Sequence, residues 1–73
     1  MEIKDQVGLK VRRWREAQRL TQAEMGRLLG VSGPAIYSVE AGRCLSVWML
    51  VRLARRMGCT TDELLRDDSG HSA

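Results

Sequence analysis

Side chains capable of covalent or metal chemistry are few in this 73-residue sequence, and their spacing does not serve it. The one histidine, His71, lies in a polar terminal stretch. Cys44 and Cys59 stand fifteen positions apart with no CxxC and no histidine beside them. Neither a zinc site nor a redox pair is written there, and both read as buried, reduced thiols. The adjacent carboxylates Asp62 and Glu63 fall at the start of a short helical pattern, where acids complement the helix dipole. No phosphate loop appears, and no nucleophile stands beside a base and an orienting group. The expectation is a protein that is not an enzyme, with no catalytic residue, no metal and no small-molecule cofactor.

The chemistry that the sequence does supply is ionic. Between Gln6 and Arg66 lie eleven basic residues: Lys10, Arg12, Arg13, Arg15, Arg19, Arg27, Arg43, Arg52, Arg55, Arg56 and Arg66. Only five acids, Glu16, Glu24, Glu40, Asp62 and Glu63, oppose them over the same span. The net charge of +3 therefore understates how basic this segment is, because the other acids collect at the ends. Such a distribution suits a polyanionic partner.

Those charges need elements to position them. Aromatic residues are only 4% of the chain and no alternating apolar pattern occurs, so strands are not expected. Apolar residues instead keep helical spacing between cap residues, which predicts an all-α fold with helices over about 5–18, 22–29, 33–41, 47–57 and 61–66. Val7, Val11 and Trp14 form the first apolar stripe. Thr21 to Glu24 and Thr60 to Glu63 read as capping boxes, while Ser32 and Ser46 read as N-caps. Since Pro34 has no N–H, the Ser32 hydroxyl is expected to accept from Ala35. Gly30, Gly42 and Gly58 close helices. The sequence thus divides into one domain, 1–66, and a polar tail, 67–73. No apolar run suits a bilayer and the start lacks a signal peptide, so the expected location is the cytoplasm, without a membrane partner.

Helices joined only by Gly30-Val31-Ser32 must cross steeply, which is helix-turn-helix geometry. Here the sequence resembles the phage-repressor and Cro-like (XRE-type) helix-turn-helix DNA-binding domains, from about Val7 to Leu65. The resemblance is carried by Val7-Gly8, Val11 to Arg15, and Leu20-Thr21-Gln22-Ala23-Glu24-Met25-Gly26. It continues through Leu29-Gly30-Val31-Ser32, Ile36, Val39-Glu40-Ala41-Gly42-Arg43, Leu53-Ala54 and Thr61-Asp62-Glu63-Leu64-Leu65. It implies a compact five-helix lambda-repressor-like fold and a transcriptional regulator, expected to be a repressor, whose partner is double-stranded DNA.

It further implies that Gln22 faces the DNA backbone and that the helix from Ser32 enters the major groove. Ser32, Gly33, Pro34, Ala35, Tyr37 and Ser38 match the positions that reach bases and phosphates. Arg43 matches a phosphate contact, and Arg15 with Glu40 an internal salt bridge. The sequence departs from the family at Gly33, Pro34 and Ala35, where long polar side chains are usual. None of these three can make a bidentate bond to a base edge, so readout falls to Tyr37 and Ser38, and modest specificity is expected.

At 100° per residue Trp48 falls opposite the apolar stripe of its helix, where such domains usually carry a charge. An exposed Trp48, with Met49 or Val51, would anchor a homodimer. The other reading folds Trp48 back over Arg43-Cys44-Leu45 as extra core. Trp14 reads as core. Arg12 and Arg13 are either solvated or on phosphates, and Arg52, Arg55 and Arg56 read as a solvated basic face. The competing function is a protein-binding module built on the same scaffold without DNA binding.

Overall fold

The structure, a computed structural model, describes residues 2–43 and 45–66. The tail 67–73, with His71, and Cys44 lie outside the described residues. Five helices follow in order: α1 (Ile3–Ala17), α2 (Gln22–Leu29), α3 (Gly33–Glu40), α4 (Val47–Met57) and α5 (Thr61–Leu65). No strand occurs among the described residues, so the fold is all-α. Helix α1 begins two residues before the position read from the sequence, at Ile3, with Glu2 as a cap that makes no side-chain bond. The other ends differ by a residue at most, the ordinary fraying of helix termini.

Every other helix starts on a hydroxyl. Thr21 Oγ1 accepts from the Glu24 N–H at 3.0 Å and the Thr21 N–H donates back to Glu24 Oε1 at 2.8 Å. Thr60 and Glu63 repeat the pair at the same two distances. Ser32 Oγ accepts from the Ala35 N–H at 3.2 Å, the donor left available by Pro34, and Ser46 Oγ accepts from the Met49 N–H at 3.1 Å. At their other ends α1 to α4 share one closure, in which an N–H reaches a carbonyl five residues back. These bonds are Leu20 to Arg15, Val31 to Gly26, Arg43 to Ser38 and Cys59 to Ala54. Three of the closures place glycine at positive φ, whereas α1 uses Arg19 at φ 60°, the one non-glycine residue there among the described residues.

All five helices feed one core of Val7, Val11, Met25, Leu29, Ile36, Val39, Leu53, Ala54 and Leu64. Trp14, Leu20, Met49, Leu50, Met57 and Cys59 pack against it while half-buried. Cys59 is therefore not the fully buried thiol expected, and burial pushes its pKa up rather than activating it. Two glycines set helix spacing. A Cβ on Gly8 would stand 2.5 Å from the Val39 carbonyl oxygen, so α1 lies directly on the backbone of α3. A Cβ on Gly26 would stand 2.6 Å from the Val31 oxygen, so α2 carries the following turn against itself. Lys10 ties down α5, its ammonium donating to the carbonyls of Glu63 and Arg66, each at 2.7 Å.

The capping glutamates give the fold a pH signature. Glu24 and Glu63 are held below the ordinary carboxylate range, chiefly by accepting the backbone N–H of Thr21 and Thr60. A carboxyl with a lower folded pKa supports the fold above its unfolded value, about 4.3, and loses that support as pH falls through the folded value. The thermal midpoint, followed by circular dichroism, should therefore fall below about pH 4.3. The double variant E24Q/E63Q, which keeps the acceptors but cannot titrate, should show a shallower acid decline from a lower neutral plateau.

Candidate nucleic-acid interface

The turn that presents α3 is short because glycine permits it. Gly30 takes φ 77°, and Gly33 brings its backbone so close to α2 that an added Cβ would lie 3.2 Å from the Ala23 Cα. The first turn of α3 is thereby seated on the first turn of α2. Ile36 and Val39 turn inward. The opposite side of α3 shows Pro34, Tyr37 and Ala41 to solvent, with Ser32 exposed at its start and Gly33, Ala35 and Ser38 half-buried. This outward row is short-chained apart from Tyr37, which is 48% exposed.

Gly42, at φ 73°, folds the chain back after α3, and the Arg43 N–H then donates to the Ser38 carbonyl at 2.9 Å. That return places the Arg43 guanidinium 5.5 Å from the centre of the Tyr37 ring. A cation at this distance over a ring face is attracted to it, so Arg43 and the only long side chain of the row hold each other.

On the other flank a partly buried pair joins α1 to the end of α3. Arg15 Nε donates to Glu40 Oε2 at 2.6 Å and Nη2 donates to Oε1 at 3.1 Å, with side chains 13% and 6% exposed. The Arg15 Nη1 group also donates to the Leu20 carbonyl at 2.8 Å, which fixes the link into α2. Hydrogen bonding to Glu40 raises the Arg15 pKa above its ordinary value, so its charge is permanent. Gln22, read from the sequence as facing the DNA backbone, donates from Nε2 to Glu40 Oε1 at 3.1 Å. Its amide carries a second N–H, and the residue lines an open cleft between the first three helices with Arg12, Arg15, Tyr37, Glu40 and Ala41.

The structure thus gathers Gln22, Tyr37, Arg43, Arg15 and Glu40 around the exposed side of α3. Arg12 joins them on the cleft wall, where an exposed 3.1 Å bond to Glu16 holds it. Its place on the same cleft as Gln22 and Tyr37 had no sequence signal beyond its charge, since it depends on how α1 crosses α3. The dimer candidates divide. Trp48 is 77% exposed, so the alternative in which it folds back as core does not occur. Met49 instead packs on the core of its own chain, and Val51 is half-buried.

Among the described residues, no group of three or more His, Cys, Asp or Glu could hold a metal ion. No described helix is long and apolar enough to cross a membrane. A family model described as a helix-turn-helix domain matches residues 6–67. No curated protein and no solved structure matches the sequence.

Proposed function

Because the chain belongs to this family of helix-turn-helix domains, the architecture of DNA-binding regulators, we propose that it binds double-stranded DNA with α3 in the major groove and represses transcription. The observation that carries the reading is the Tyr37 ring, exposed on α3 with the Arg43 guanidinium 5.5 Å from its centre. In this reading Arg43 engages a phosphate and turns the Tyr37 edge toward the bases. Gln22 and Arg12 take the phosphates on the opposite side of the groove. Ser38 adds a hydroxyl to base readout, and Ala35 a methyl contact to thymine. Gly33 and Pro34 bring only backbone close to the duplex. Affinity then comes mainly from neutralised phosphates, specificity is modest, and no catalytic step is involved.

The exposed Trp48 supports a homodimer in this reading, with Val51 beside it and Met49 behind it. Two copies would set their α3 helices roughly 34 Å apart, one turn of DNA. Repression follows by occlusion wherever such a site overlaps a promoter.

The test is duplex binding by fluorescence anisotropy across a salt series. Wild-type affinity should fall steeply with salt, and R43A should weaken binding to all sequences alike while reducing the salt slope by about one. Y37F should change the preference among sequences more than the mean affinity. Sedimentation equilibrium of W48A should show loss of self-association. Absence of salt-dependent binding to any duplex would defeat the reading and leave the protein-binding module in its place.

A further inference from the structure

A second basic surface lies at the opposite end of α2 from Gln22. The outer side of α4 reaches across to the last carbonyls of α2: Arg52 Nη1 donates to the Leu29 oxygen at 2.9 Å, and Arg56 Nη2 to the Leu28 oxygen at 3.4 Å. These bonds satisfy carbonyls that a helix end leaves open. The shorter bond fixes the Arg52 guanidinium in direction and the longer, exposed one leans Arg56 toward the same helix end, each with further N–H groups to offer. Arg55 is exposed between them and makes no side-chain hydrogen bond among the described residues. Together with Leu28 and Leu29, the three arginines line a shallow hollow of about 250 Å³. Among the described residues no carboxylate lines it. Leu28 is 44% exposed, which gives the hollow an apolar floor beside its cations.

We propose that this hollow docks an acidic segment of a partner protein, carboxylates on the arginine forks and an apolar side chain against Leu28. Charge complementarity selects the partner, because an all-cationic rim repels a second copy of the same surface and attracts carboxylates. Arginine held by one N–H is prearranged for a bidentate carboxylate contact, which lowers the ordering cost of binding. The leucine floor separates this occupant from nucleic acid, since a phosphodiester backbone brings no apolar group to cover it. The hollow is smaller than the roughly 300 Å³ at which small-molecule pockets begin. It also lies at the C-terminal end of α2, whereas the first turn of α3 is seated on Ala23 at the other end, and one to two turns beyond Trp48 along α4. The inference does not rest on the DNA reading.

The probe is a short fluorescein-labelled peptide of repeating Asp-Leu-Glu, titrated with the full chain and read by anisotropy. Wild type is expected to bind it, R55E to bind at least about tenfold more weakly and R55Q to fall between, all three keeping the same helical content. A repeating Asp-Ser-Glu peptide should bind less well, and duplex DNA should join the peptide complex without displacing it. Equal binding by wild type, R55Q and R55E would overturn the proposal. So would equal binding of the two peptides, which would leave bulk charge alone. Displacement of the peptide by duplex would assign the surface to nucleic acid instead.

Discussion

Replacing Glu40 with alanine is expected to cost about 2 to 3 kcal/mol, between the loss typical of a surface bridge and that of a fully buried ion pair, because this pair is partly buried. The carboxylate receives two N–H groups of Arg15 and one of Gln22, at 2.6, 3.1 and 3.1 Å. Without it the Arg15 guanidinium, 13% exposed in the intact pair, keeps the Leu20 carbonyl as its remaining hydrogen-bond partner. A domain of this length has roughly 4 to 11 kcal/mol in total, so E40A should unfold at a clearly lower denaturant concentration than wild type. The cause is separable from mere loss of contact. The double variant R15M/E40L removes both charges while keeping apolar volume, and should recover most of the loss. A cost for E40A below about 1 kcal/mol would mean that the pair behaves like a surface bridge. The same change frees the Gln22 amide, so duplex affinity at temperatures where E40A remains folded should also fall.

Gly26→Ala should lower stability by about 2 kcal/mol even though alanine is the better helix former. The added Cβ would stand 2.6 Å from the Val31 oxygen and 2.9 Å from the Ser32 carbonyl carbon, both backbone atoms that no rotamer change can move. Relief requires the 30–32 turn to shift, and that turn holds the start of α3. Duplex binding should therefore weaken beyond what the unfolded fraction explains. G58A is the informative contrast. Nothing lies within 4 Å of its added Cβ, so only the left-handed backbone at φ 74° opposes it, at about 1 kcal/mol. Should G26A prove as stable as wild type, the close approach of α2 to its own turn would not be a constraint on the fold.

Cys59 and Trp48 show how far side-chain patterning reaches. Counting 100° per residue places Trp48 away from the core stripe, and its ring is in fact exposed. The same counting cannot say how deep a residue at the rim goes, and Cys59 is only half-buried. Arg19 is a miss of another kind. The signal for a helix closure is glycine, and α1 closes through a left-handed arginine because the Leu20 N–H reaches the Arg15 carbonyl at 3.1 Å.

The caps were written in the sequence because each is a contact across three residues: Thr21 with Glu24, Ser32 with Ala35, Ser46 with Met49, Thr60 with Glu63. Helix order and the steep turn at Gly30 followed from them. Backbone meeting backbone was decided only by the folded chain, since Gly8 lies on Val39 and Gly26 on Val31 through helix crossings that no periodicity encodes. Long-range partners were decided there too. Lys10 finds carbonyls more than fifty residues away, Arg52 caps α2 from α4, and Gln22 turns to Glu40, each the answer of a polar group to whatever the packing of apolar faces brings within reach.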